Sequence, residues 1–118
     1  MSNKVLGDRG ESCAARYLGA QGYRILAQKY RTKIGEIDLI AKDRDTLVFV
    51  EVKTRRGARC GLPAEAVNYR KQRKIIQTAM WYLREKRMDQ TPCRFDIVEV
   101  YAAGSEWRIH HLKGAFEV

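Results

Sequence analysis

Cysteine is scarce in this chain and poorly placed for cross-linking. Three occur in 118 residues, at Cys13, Cys60 and Cys93. The number is odd, the spacings are wide and no Cys-x-x-Cys pair exists. That argues against a disulfide framework and against a thiolate zinc site, and it fits a reducing, cytosolic setting. Long apolar runs are also missing. No stretch approaches the ~18 apolar residues of a membrane span, and the N-terminus has no run of the signal-peptide type. No membrane partner is expected. There is no Gly-rich phosphate loop of the Walker kind and no Gly-x-Ser-x-Gly elbow. Internal repeats and low-complexity runs are absent too.

What remains is an ordinary globular composition, 45% apolar and 31% charged. The length suits one domain over residues 1–118 with a core of its own. The charge is lopsided: 23 Lys and Arg face 14 Asp and Glu, a net +9 with a pI near 9.7. A positive field of this size suits a polyanion, and nucleic acid is the commonest one.

The most informative stretch runs from Ile34 to Lys53. Two segments rich in β-branched and large apolar residues, Ile34–Ala41 and Thr46–Lys53, flank the polar Lys42-Asp43-Arg44-Asp45. This reads as a β-hairpin. Leu47 to Val50 is apolar throughout, so that strand should be covered on both faces. Charges at its end are then costly unless they pair or bind something. Glu36 and Asp38 share one face of the first strand, and Glu51 and Lys53 one face of the second. A two-residue loop at Arg44-Asp45, or a four-residue loop from Asp43 to Thr46, sets Asp38 opposite Glu51, and Glu36 opposite Lys53. Opposed Cβ atoms lie about 4.5–5.5 Å apart, so the two carboxylates repel unless a cation sits between them. A hard ion such as Mg²⁺ takes oxygen ligands and keeps several waters. Lys53 would then orient a water or hold a phosphate oxygen. The plain alternative is a half-buried hairpin with cross-strand Glu–Lys pairs.

The rest of the chain frames that hairpin. Asn3–Ala20 reads as a helix with Leu6, Cys13, Ala14, Tyr17 and Leu18 as its apolar stripe. Glu11 lies at the stripe's edge, where it can point toward Asp38 and Glu51. Gly10 beside it permits close approach of another backbone. Tyr23–Tyr30 reads as a strand. Residues 54–62 read as a basic loop whose Arg55, Arg56 and Arg59 suit phosphate oxygens. Pro63 opens a long helix to about Arg87. Val67, Ile75, Ile76, Ala79, Met80 and Leu83 form its apolar face, and Tyr69, Trp81 and Tyr82 belong to the core or its rim. Arg70, Lys71, Arg73 and Lys74 form a second candidate nucleic-acid surface. Cys93–Tyr101 and Glu106–His111 read as strands. Asp96 reads as a salt-bridge partner of Arg94 or a helix lysine. His110 and His111 point to opposite faces and cannot chelate one ion together.

Asp38 with Glu51-Val52-Lys53 resembles the PD-(D/E)xK signature of restriction-endonuclease-like and Holliday-junction-resolvase-like nucleases. The wider pattern joins Gly10-Glu11, Gly35-Glu36-Ile37-Asp38-Leu39-Ile40-Ala41, Phe49-Val50-Glu51-Val52-Lys53-Thr54-Arg55 and Arg94-Phe95-Asp96-Ile97-Val98. It covers nearly the whole chain and resembles the small bacterial YraN-like proteins, placed in that superfamily by similarity. Ile37 stands where the superfamily signature has proline. The resemblance implies an α/β fold with a central mixed sheet flanked by helices, restriction-endonuclease-like. It implies a divalent-metal-dependent endonuclease acting on DNA, branched or structured, with Asp38, Glu51 and Lys53 catalytic. Asp38 and Glu51 with Glu11 would hold Mg²⁺ or Mn²⁺. In related nucleases a Lys or Gln on this helix often approaches the site; Gln72 and Lys74 are offered as its counterparts, with no catalytic role assigned to either, and similar resolvases act as homodimers. The alternatives are a non-cutting nucleic-acid-binding protein on the same fold, and a basic RNA-associated protein.

Overall fold

The computed structural model describes residues 2–57 and 67–118. Its elements, in order, are helix α1 (Asn3–Ala20), strands β1 (Arg24–Arg31), β2 (Glu36–Asp43) and β3 (Thr46–Arg56), helix α2 (Tyr69–Glu85), and strands β4 (Cys93–Ala103) and β5 (Glu106–Phe116). The strands form one sheet in chain order, β1-β2-β3-β4-β5. All neighbours are antiparallel except β3 and β4. A parallel pair needs a long crossover, and the segment carrying α2 supplies it. The expected α/β architecture with a mixed sheet is therefore present.

Each helix covers one face. Ser2 caps α1 by accepting from the Val5 amide at 3.1 Å. Leu6, Gly10, Ala14 and Leu18 recur every four residues and are buried. They lie over the face that presents Leu39, Ala41, Val48, Val50, Val98 and Val100. Asn68 caps α2 through the Lys71 amide at 2.9 Å. Ile75, Ile76, Ala79, Tyr82 and Leu83 cover the opposite face, over Ile37, Ile40, Leu47, Phe49, Phe95 and Ile97. Phe49, Phe95 and Phe116 stack in succession there, with centroids 5.5 and 5.1 Å apart. Leu47 to Val50 is wholly buried, as expected of a strand covered on both sides.

Three boundaries and the placing of some helix side chains differ from the sequence reading. β3 continues past Lys53, so Thr54, Arg55 and Arg56 are strand and not loop. Their ladder with Val100, Tyr101 and Ala102 of β4 supplies the backbone bonds that their own polar pattern does not announce. The described part of the second helix begins at Tyr69, after the Asn68 cap. The expected start at Pro63, like Arg59 in the basic loop, lies outside the described residues. β5 runs on to Phe116 because that ring packs on Phe95. Tyr69, Met80 and Trp81 lie exposed on α2, at 74%, 49% and 46%, rather than in its core or at its rim; Met80 and Trp81 fall round the helix from the Ile75–Ala79–Leu83 stripe, and Tyr69 stands at its first residue.

Candidate active site

The hairpin register is the one the two-residue turn demands. Asp43 pairs with Thr46, and the ladder runs back to Leu39 with Val50. Arg44 takes the left-handed backbone of the turn at φ 57°. The next step along that register brings Asp38 to Glu51. There the two strands part. The Val52 amide donates to the Asp38 carboxylate (Oδ2, 2.8 Å). The ladder ends, and Ile37 turns to the α2 side while Leu39 and Ala41 stay on the α1 side. Glu36 is carried away from Lys53 and instead meets Arg31, at 3.3 Å. The expected Glu36–Lys53 pair does not form.

Asp38 and Glu51 thus face each other at a split in the sheet. Glu51 is buried, with 8% of its side chain exposed. Burial, then the hydrogen bond and charge of Glu51, push Asp38 up to about 8. The Val52 amide and Lys71 pull the other way. At neutral pH Asp38 therefore keeps its proton, the ordinary response of an acid crowded and buried beside another.

Two ammonium groups stand beside them. Lys53 follows Glu51 on the same face of β3. Burial and the neighbouring Lys71 lower its pKa, against the pull of Glu51 and Asp38. Lys71 comes from the first turns of α2, and its Nζ lies 3.1 Å from Glu51 Oε2. Burial acts to lower the pKa of Lys71, but the carboxylates beside it, Glu51 first, carry it above its ordinary value. That Glu51 oxygen is completely buried, and no hydrogen bond of good angle reaches it. The lysine meets it as an ion pair only.

Lys71 keeps 44% of its side chain exposed, as the sequence reading of a surface cation has it, but it also pairs with Glu51, where the resemblance offers Gln72 and Lys74 as counterparts. Gln72 instead donates to the Val67 carbonyl at 3.0 Å. Arg70, Arg73 and Lys74 are exposed. The signal in the sequence is Asn68: as a cap it fixes where α2 starts, and hence which lysine in the first turn looks back at β3.

Glu11 approaches from α1 but is held by Lys29, Nζ to Oε1 at 3.0 Å. Burial first, and the charge of Asp38 after it, raise its pKa against the Lys29 hydrogen bond. Among the described residues no group of three or more His, Cys, Asp or Glu side chains is gathered in a way that could hold a metal. The arrangement is a carboxylate pair, with Glu11 turned to Lys29. Gly10 lets α1 lie against β3, and the space a Cβ would need there is filled by the Thr54 side chain rather than by a backbone.

The remaining predicted cations are tied to the fold. Arg55 donates from Nε to the buried Glu99 at 3.0 Å. Arg56 reaches Asn3 Oδ1 at 3.1 Å. Asp96 is wholly buried and takes both Nε (2.9 Å) and Nη2 (3.0 Å) of Arg94, as its neighbour in sequence suggests. His110 and His111 do point to opposite faces, one toward Glu99 and the other onto Asp96. No described helix is long and apolar enough to cross a membrane.

Comparison with known proteins is consistent along the chain. Residues 10–100 match the model of the Uncharacterised protein family UPF0102. A UPF0102 protein of Syntrophotalea carbinolica is 49% identical over 113 residues, 96% of this chain and 92% of its own. One from Clostridioides difficile is 47% identical over 98% of this chain and 100% of its own. One from Symbiobacterium thermophilum is 55% identical over 85% and 84%. With the family match spanning residues 10–100, the whole Asp38–Glu51–Lys53 hairpin among them, the chain belongs to the UPF0102 family.

Proposed function

We propose that this protein is a divalent-metal-dependent endonuclease with a restriction-endonuclease-like core, acting on nucleic acid, DNA first among its expected substrates. One observation carries the reading: the buried Asp38–Glu51 pair at the split between β2 and β3, with Lys53 and Lys71 beside it. Carboxylates crowded in this way cost stability unless charge compensates them. The donor set fits Mg²⁺ or Mn²⁺. Such ions are commonly held by one or two carboxylates and take their remaining ligands from water and phosphate. The buried Glu51 oxygen without a hydrogen bond is the atom such an ion would satisfy.

Asp38 and Glu51 would hold the ion. Its chemistry is to acidify a water and to offset charge on the scissile phosphate. Lys53 orients the attacking water or faces the developing negative charge. Lys71, released from Glu51, is placed to meet a phosphate oxygen. The exposed Arg70, Arg73 and Lys74 supply sequence-independent phosphate contacts from the same helix. Cutting both strands of a branched DNA would call for two copies of the chain.

The Lys71–Glu51 ion pair also favours a second reading, a nucleic-acid-binding protein that does not cut. In that reading the lysine permanently takes the place of the cation. Conversion of supercoiled plasmid to nicked and linear forms separates the two. Under the first, conversion requires Mg²⁺ or Mn²⁺, stops with EDTA and is lost in Glu51→Gln. If plasmid is bound but stays supercoiled with every metal, even in Lys71→Ala, the second reading stands.

A further inference from the structure

Away from the carboxylate pair, on the α1 side of the sheet, lies a cavity of about 500 Å³. Tyr17, Tyr23, Asp43, Arg44, His111 and Lys113 are among its walls. Behind it the protein buries a relay of polar groups. Asp96 accepts from Arg94 twice, from the Gly114 amide at 3.0 Å, and from His111 Nε2 at 2.7 Å. Burial alone would raise its pKa, but the bonds from His111, Arg94 and Gly114 outweigh it and hold the carboxyl below its usual value. Asp96 is thus a carboxylate, and the His111 nitrogen facing it carries the hydrogen. The other ring nitrogen meets the Tyr17 hydroxyl at 3.3 Å.

The charges of this network cancel inward. Arg94 is engaged by Asp96 and, at 3.2 Å, by Asp43. Its Nη2 also donates to the Tyr23 oxygen at 2.6 Å. That occupies the phenol as an acceptor and leaves its hydrogen without an acceptor among the described residues. Arg44 and Lys113 stand at the same cavity with no ion pair among the described residues. Arg44 is moreover held at a positive φ, which Gly or Asn normally fills.

The geometry points to a binding site for a phosphate monoester, with Arg44 and Lys113 closing on its charge, the Tyr23 hydroxyl donating to an oxygen, and the His111–Asp96 pair as the fixed rear wall. A cavity of about 500 Å³ holds more than a bare phosphate, so the class extends to a nucleotide or the phosphorylated end of a nucleic acid. The inference stands apart from the nuclease reading and shares none of its residues.

The test follows the ¹⁵N-imidazole signals of His111 during titration with inorganic phosphate, adenosine 5′-monophosphate, and a trinucleotide with or without a 5′-phosphate. His110, on the other face, is the internal control. The site predicts a saturable shift confined to His111 with the phosphate-bearing probes, and at least tenfold weaker binding in Arg44→Gly and in Lys113→Gln. Glycine relieves the positive φ, so Arg44→Gly folds and melts no lower than the wild type. Response to the mononucleotide alone assigns a free metabolite; response to the 5′-phosphorylated trinucleotide as well assigns a nucleic-acid end. Equal binding in the two variants, equal shifts from the 5′-hydroxyl trinucleotide, or no saturable His111 shift overturns the site.

Discussion

Gly10 and Gly7 sit one turn apart on α1, and replacing each by alanine should move stability in opposite directions. Both substitutions exchange the poorest ordinary helix former for the best, a gain of about 1 kcal/mol each. At Gly7 a Cβ meets nothing within 4 Å, so that gain is realised in full. At Gly10 the Cβ would overlap Thr54 Oγ1, and would lie 2.8 Å from its Cγ2 and 2.9 Å from its Cβ. Rotating Thr54 about χ1 can turn its Cβ hydrogen toward the helix, but it leaves Cβ itself where it is. The helix must therefore move off β3, an overpacking cost of roughly 1–3 kcal/mol. The two variants should differ by that amount, or about 4 °C in Tm per kcal/mol for a chain of this size. Gly7→Ala melts above the wild type; Gly10→Ala melts at or below it. Adding Thr54→Ala to Gly10→Ala restores part of the stability, because only the 2.9 Å approach then remains. Thermal denaturation of the four proteins decides it. A Gly10→Ala protein as stable as Gly7→Ala would refute the close packing of α1 on β3, and with it the placing of Glu11 near Asp38.

Three further outcomes follow from the site and its surroundings. Asp96 has a folded pKa below its unfolded value, so its contribution is present above about pH 4 and lost as pH falls through the lowered folded value. Asp96→Asn should therefore lose about 3 kcal/mol at pH 7, as an interrupted buried pair does, and show a shallower acid limb in urea melts between about pH 4 and 2; an unchanged acid limb would count against the network. Nucleic-acid affinity should fall steeply with salt. Removing Arg70, Arg73 and Lys74 together should reduce the log–log salt slope by up to about 3, near 0.9 for each phosphate no longer neutralised; a slope that does not change would move the binding surface elsewhere. Lys71→Ala leaves the buried Glu51 oxygen without its cation, so Mn²⁺ should raise the Tm of this variant more than that of the wild type; equal shifts would separate Lys71 from the acid pair.

Much of this architecture is legible in the chain. The all-apolar Leu47–Val50 run requires cover on both faces, and α1 and α2 provide it. The hairpin register comes from counting across Arg44-Asp45, since a slip of one residue would throw Asp38 and Glu51 to opposite faces. Other features depend on tertiary pairing. Arg55 and Arg56 look like loop because a parallel partner, remote in sequence, is what makes them strand. Phe116 extends β5 through a stack with Phe95 that no local pattern shows. Glu36 goes to Arg31 because Asp38 takes the Val52 amide and ends the ladder one step early. Lys71 is hidden among four cations in five residues, and only the start of α2 distinguishes it. The Asp96–His111–Tyr17 relay assembles three elements, and the sequence shows its histidine only as one of an adjacent pair unable to share a metal.

The central claim is that the acid pair and its lysine cut a phosphodiester. It is tested most directly by single-turnover cleavage of end-labelled duplex, single-strand, flap and four-way-junction DNA, with an RNA control, in Mg²⁺, Mn²⁺ or EDTA. Wild type would be run beside Asp38→Ala and Lys53→Ala. Metal-dependent cutting that both substitutions abolish while binding persists is the expected result. Binding without cutting in every metal, or cutting that survives both substitutions, would contradict it.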